Sequence, residues 1–233
     1  MITPLKEILQ EGNFNKKERE LIKKAYLMSK NAHKGQKFDG TKHDYFLHPA
    51  YAGYLLAKWK RGYEAVCAGL LHDVVEDCEI ALDKIRFIFG HRTAFLVDGM
   101  SWERKWNPKE KKYLKDRKGF YEKIMDYSKQ DVDVVIVHAS DELSKLSDIT
   151  GKKHKKKGEK PEKTKKRYNW IATIMLPFYK EVGLKRVSES LWDKIKDYFK
   201  SKPKSKLLNY INKKDLKKIK NKLMKIRSIE ELK

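Results

Sequence analysis

Residues 69–77 read Gly69-Leu70-Leu71-His72-Asp73-Val74-Val75-Glu76-Asp77, and the fold is decided by how this stretch is read. The run that enters it, residues 65–71, is apolar on every side, the signature of a buried central helix. Four ionisable groups follow at once. At about 100° per residue, His72, Asp73, Glu76 and Asp77 fall within an arc of about 140°, so a helix continued through them sets all four on one face. Burying carboxylates without a partner is costly. A metal cation is a natural partner, because imidazole and carboxylate are ligands for Zn, Mn or Fe. A phosphate-directed site with acid/base carboxylates uses the same groups. The plainer alternative is a helix that leaves the core and turns a polar face to water. Two neighbours weigh against it: His48-Pro49 lies 24 residues before His72, and Asp141 follows the apolar run 134–137.

Outward from this segment the pattern is helical almost throughout. Asn15 and Glu18 form the pattern of a capping box ahead of Leu21, Ile22, Ala25, Tyr26 and Met28. Pro49 suits the first turn of a helix running to Leu56. Residues 82–89 and 93–100 read as short helices parted by Gly90, and 109–127 as a long charged helix. Asp131 caps a run through Leu146. Its Val/Ile cluster has strand composition, yet no partner strand is apparent in the sequence, so the run reads as helix. Residues 150–166 contain nine lysines in 17 positions, with Gly and Pro, and predict a solvated loop. Helical pattern resumes over 168–179 and 188–199. Residues 201–205 read as a linker, and 207–232 as a Lys-rich helical stretch with Leu207, Leu216, Ile219 and Leu223 in register. The expected organisation is an all-α domain over 1–202 and a basic helical extension over 203–233.

The net charge of +23 is unevenly spread. Residues 1–150 hold 27 basic and 23 acidic side chains; residues 151–233 hold 28 and 9. The excess sits in the C-terminal third, which suggests nonspecific contact with nucleic acid through phosphates, or steering of an anionic substrate. Only nine of the 55 basic residues are Arg, against the bias of base-reading proteins. Two cysteines, Cys67 and Cys78, are too few for a disulfide scaffold and fit a reducing cytoplasm. The first residues have no apolar core of a signal peptide, and no run approaches the roughly 20 residues of a membrane span. No Ser/His or Cys/His arrangement points to covalent catalysis, and Cys67 reads as a core residue.

The ordered motifs resemble the HD-domain metal-dependent phosphohydrolases, and within them the alarmone (ppGpp) hydrolase domain of the Rel/SpoT-type proteins and the small stand-alone alarmone hydrolases. The pieces are Ala32-His33-Lys34-Gly35-Gln36, Tyr45-Phe46-Leu47-His48-Pro49, residues 68–77, Phe89-Gly90-His91 leading to residues 96–101, and His138-Ala139-Ser140-Asp141. They keep the family's order over about residues 18–150. The resemblance implies a helical HD bundle with His48, His72, Asp73 and Asp141 as ligands of a divalent ion, usually manganese. It makes Glu76 and Asp77 the acidic pair that orients and deprotonates water, and it places His33 and Gln36 behind the ligands. The implied reaction removes the 3′-pyrophosphate of ppGpp or pppGpp, giving GDP or GTP and pyrophosphate. With no length left for a synthetase domain, net hydrolysis is expected.

The departures lie in the base-reading shell. Lys145 stands where the family has Asn, and the basic pair expected to pack on guanine is reduced to Lys37-Phe38. Lys37, Ser101 and Lys145 are therefore the candidate substrate-side residues. Trp102 and Trp106 either stack on a base or pack a loop. Two other readings stay open: an HD phosphohydrolase of another nucleotide or phosphoester, and a non-catalytic module that holds a nucleotide or nucleic acid. His43, His91, His138 and His154 read as ordinary histidines.

Overall fold

A computed structural model describes residues 5–38, 42–102, 104–107, 112–146, 161–199, 203–207 and 213–225. Its helices are α1 (Leu5–Glu11), α2 (Lys16–Ala32), α3 (Leu47–Lys58), α4 (Tyr63–Leu71), α5 (Val74–Asp77), α6 (Leu82–Phe89), α7 (His91–Met100), α8 (Arg117–Gln130), α9 (Asp133–Leu146), α10 (Pro161–Trp170), α11 (Leu176–Val182), α12 (Lys185–Ile195) and α13 (Lys213–Leu223). The all-α expectation holds. One antiparallel hairpin, β1 (Arg104–Asn107) and β2 (Lys112–Lys115), pairs Arg104 with Lys115 and Asn107 with Lys112.

Local chemistry explains most boundaries. Asn15 accepts from the Glu18 amide at 3.0 Å and Glu18 accepts from the Asn15 amide at 2.9 Å, a complete capping box for α2. Gly90 separates α6 from α7 at φ +89°, a conformation that disfavours side chains with a Cβ. Every residue of α4 from Ala65 to Leu71 is buried, as is every residue of α9 from Asp133 to Ser144. These two helices form the centre. On α9 that burial includes the polar groups, which explains why a strand-like Val/Ile cluster sits in a helix: no face of it is left for water.

The approach of α3 to α4 sets the site. A Cβ on Gly69 would stand 2.4 Å from Leu56 Cδ1, and one on Gly53 would stand 2.8 Å from Leu70 Cγ. Two glycines facing each other across this contact let the backbones close, and they bring His48 on α3 near His72 at the end of α4.

Three expectations are corrected. The long charged helix over 109–127 is instead strand β2 followed by α8, which starts where Asp116 accepts from the Gly119 amide at 3.1 Å. The helix through 65–77 is not continuous: α4 ends at Leu71, His72 and Asp73 form the junction, and α5 begins at Val74. Of the Lys-rich loop, residues 150–160 lie outside the described residues, and 161–166 belong to α10, whose Pro161 occupies a first-turn position. A π-helical turn, Ile171–Met175, joins α10 to α11. In the basic extension, α13 buries Leu216, Ile219 and Leu223 in the main core cluster. No helix among the described residues is long and apolar enough to cross a membrane.

Candidate metal centre and active site

Four side chains from three places in the chain converge in the core. His48 comes from α3, His72 and Asp73 from the α4–α5 junction, and Asp141 from α9; all are buried. The Nε2 atoms of His48 and His72 are 3.1 Å apart. Asp73 Oδ2 lies 3.0 Å from His72 Nε2 and 3.4 Å from His48 Nε2. Asp141 Oδ1 lies 3.1 and 3.2 Å from the same two nitrogens.

Hydrogen bonds on the far sides of the rings fix what these atoms are. His72 Nδ1 meets the Gly69 carbonyl at 2.8 Å, and a carbonyl only accepts, so the proton is on Nδ1. Ser144 Oγ donates to the His48 carbonyl at 2.8 Å and so accepts from His48 Nδ1 at 2.9 Å. When neutral, both rings therefore present a bare Nε2 lone pair to the centre, opposite two carboxylate oxygens. Asp141 Oδ1 has no hydrogen-bond partner among the described residues. Four mutually facing acceptors repel unless a cation stands between them. Their spacings match those between adjacent ligands set about 2.1 Å from a divalent first-row ion, about 3.0–3.4 Å. The residues fit a metal.

Charge follows the same logic. Burial pulls His72 toward the neutral form, but Asp73 and Asp141 overcome it and hold the imidazole pKa well above its ordinary value. Burial opposes ionisation of Asp73, and His72 with His48 overcomes it; Lys145 and His72 do the same for Asp141. Both carboxyls lie well below the usual range. Protons thus gather where a divalent cation satisfies the same charges.

Around the centre, Tyr45 donates to Asp73 Oδ2 at 2.7 Å. Burial and Asp73 push its phenol well above its ordinary pKa, so it stays a donor. His33 Nδ1 meets Gln36 Oε1 at 2.8 Å, and Gln36 Nε2 donates to the Asp77 carbonyl at 3.2 Å. This pair ties the end of α2 to α5. Burial keeps His33 below its ordinary pKa, that is, neutral. Half-buried Glu76 accepts from the Trp102 backbone amide, and Asp77 is exposed.

The structure brings His48, His72, Asp73 and Asp141 together and sets His33 and Gln36 behind α5. Lys145 Nζ lies 2.6 Å from Asp141 Oδ2, so it borders the centre directly. Lys37 pairs with Asp44 at 2.6 Å on the surface, one loop away. Ser101 donates its hydroxyl to the Val97 carbonyl at 3.0 Å, completing α7. Trp102 stacks on Phe120 with centroids 4.0 Å apart, so that ring face is occupied; the Trp106 side chain lies outside the described residues. Sequence reasoning missed Tyr45 and Ser144. Tyr45 sits in a quoted motif three residues before His48, and Ser144 lies one turn past Asp141 with no motif of its own to mark it.

A family model described as HD domain matches residues 25–173. The chain belongs to the HD domain family. Its HD pair is His72-Asp73, and the matched segment contains all four converging residues. This HD domain is 26% identical over 187 residues to a guanosine-3′,5′-bis(diphosphate) 3′-pyrophosphohydrolase of Vibrio cholerae, covering 80% of this chain and 25% of that protein. It is 28% identical over 170 residues to the bifunctional (p)ppGpp synthase/hydrolase SpoT of Escherichia coli K12, covering 73% of this chain and 23% of that one. The chain spans about a quarter of the length of these curated relatives. A solved structure reported as a metazoan ortholog of SpoT that hydrolyzes ppGpp superposes with a TM-score of 0.53 at 15% identity, covering 91% of this chain and 98% of that one. That likeness shows the shared HD fold.

Proposed function

We propose that this HD domain is a metal-dependent phosphohydrolase that removes the 3′-pyrophosphate of guanosine tetra- or pentaphosphate, releasing GDP or GTP and pyrophosphate. One observation carries the reading: the two buried imidazole Nε2 atoms lie 3.1 Å apart, and each lies 3.0–3.4 Å from an oxygen of both buried carboxylates. The alarmone-hydrolase names among the relatives supply the substrate.

His48, His72, Asp73 and Asp141 would hold the ion, which we take to be Mn²⁺. Bound there, it acidifies a water and polarises a phosphoryl oxygen. The chain's own groups do the rest. Glu76, fixed by the Trp102 amide, and Asp77, at the exposed end of α5, would take the proton of the attacking water. Water adds to the 3′-linked phosphorus, the bond to the ribose 3′-oxygen breaks, and that oxygen leaves with a proton. Tyr45 holds Asp73 in place, and His33 with Gln36 holds the backbone at Asp77. The basic C-terminal third favours capture of a polyphosphate anion over reading of bases, and salt-insensitive turnover would count against that role.

The test is incubation with Mn²⁺ and ppGpp, following GDP and pyrophosphate, with His72→Ala as control. Turnover that needs both Mn²⁺ and His72 is expected. A second reading, hydrolysis of another nucleotide, is favoured by one observation. The altered substrate side consists of Lys145, turned onto Asp141, and Lys37, paired with Asp44. Activity on a non-alarmone nucleotide with none on ppGpp decides for it.

A further inference from the structure

The HD centre draws Asp141 from α9. A second group of ligand-type side chains lies on the same helix. His138, Asp141 and Glu142 recur at i, i+3 and i+4 and so share a face. All three are buried, and one ligand-type atom from each lies within 4.8 Å of the others. His138 is 0% exposed and Glu142 7%.

Two atoms in this group are stranded. His138 Nδ1 is engaged by the Tyr179 hydroxyl at 2.6 Å, which leaves Nε2 turned toward Glu142 Oε1 at 3.9 Å, too far for a hydrogen bond. His138 Nε2 and Glu142 Oε2 both lack a hydrogen-bond partner among the described residues. A buried imidazole nitrogen and a buried carboxylate oxygen do not stay unpartnered without cost. Among the described residues the Lys145 ammonium faces both Asp141 and Glu142.

We propose that His138, Asp141 and Glu142 hold a second divalent cation, with Asp141 shared between it and the ion of the HD centre. Imidazole with two carboxylates is a donor set for Mn, Fe or Zn. The inference rests on the HD-centre reading, because Asp141 belongs to both. Lys145 Nζ sits 2.6 Å from Asp141 Oδ2, so the ammonium and the second ion compete for that carboxylate. The second ion is therefore the weaker of the two, and removal of the ammonium strengthens it.

The test is equilibrium dialysis of the full chain against Mn²⁺, with metal per chain read by mass spectrometry. Two ions per wild-type chain are expected, the second weaker. Glu142→Gln and His138→Asn should each bind one, and Lys145→Met should bind two with the second affinity raised. A wild-type count of one overturns the second site and leaves the HD centre standing. A count of zero overturns both readings. Two ions that persist in Glu142→Gln and in His138→Asn overturn the assignment of these ligands. The spin-resonance spectrum of bound Mn²⁺ gives a readout independent of turnover: ions coupled through Asp141 lose the isolated-ion signal, and Glu142→Gln restores it.

Discussion

Ser144→Ala tests whether the tautomer of His48, rather than mere proximity, makes the centre a metal site. Ser144 Oγ makes two hydrogen bonds, both buried: it accepts from His48 Nδ1 and donates to the His48 carbonyl. Deleting it leaves a buried N–H and a buried C=O without these partners, a loss of about 1–3 kcal/mol in folding stability. The effect on the ion is separate. Without an acceptor at Nδ1 the imidazole proton is free to move to Nε2, the atom that faces His72, and each such molecule has lost a ligand. Loss of a partner of this type lowers metal affinity about 10–100-fold, or about 1.4–2.8 kcal/mol. Calorimetric titration with Mn²⁺ at neutral pH should show that weakening, alongside a lowered thermal midpoint. If the midpoint falls and Mn²⁺ affinity does not move, Ser144 is a packing residue and the tautomer argument is wrong.

Further outcomes are expected elsewhere. Asp133 is 1% exposed, and both Arg61, at 2.8 Å, and Arg92 meet its carboxylate. Replacing either arginine with Ala leaves one partner, while replacing both strands a buried charge, so urea unfolding should show a combined loss of about 3–5 kcal/mol that exceeds the sum of the singles. Gly69→Ala drives a methyl into Leu56 at the α3–α4 contact and should destabilise by about 1–3 kcal/mol, with weaker Mn²⁺ binding because His48 and His72 are pushed apart; an unchanged denaturation midpoint would contradict the tight packing described. The raised His72 pKa makes the metal-free protein pH-sensitive. That contribution is fully present below the unfolded imidazole value, about 6.5, and is lost as pH rises through the raised folded value. Thermal midpoints in chelator should fall over that window in wild type and stay flatter in His72→Gln, with Mn²⁺ removing the slope.

The helical architecture was legible because its signals are local. Asn15 with Glu18, Pro49, Gly90 and the wholly apolar residues 65–71 each announce a boundary or a buried helix without reference to anything distant. The hairpin was not legible, since Lys-rich residues 104–115 alternate no apolar face and the pairing lies between two short segments. The break at His72-Asp73 was also hidden: both residues keep near-helical backbone angles, so a helical wheel drawn through them differs little from the real junction. Of the candidate site, the ligand types could be named from spacing and resemblance, but their mutual placement depends on α3, α4 and α9 packing, which no local pattern encodes. Tyr45 and Ser144 carry no local signal because their contacts, to Asp73 and His48, exist only after that packing. His138 reads as an ordinary histidine in the sequence, and only its burial beside Glu142 sets it apart.

His48 and Ser144, hydrogen-bonded to each other at the candidate centre, are 96 positions apart. A growing polypeptide therefore carries two imidazoles and one carboxylate long before α9 leaves the ribosome. During synthesis such a half-made chain has no Asp141 to complete the set and no Ser144 to orient His48. On the proposed function, turnover requires that the two halves have met, so the centre doubles as a record of finished assembly. On that reading a nascent or prematurely stopped chain, lacking Asp141 and Ser144, turns nothing over.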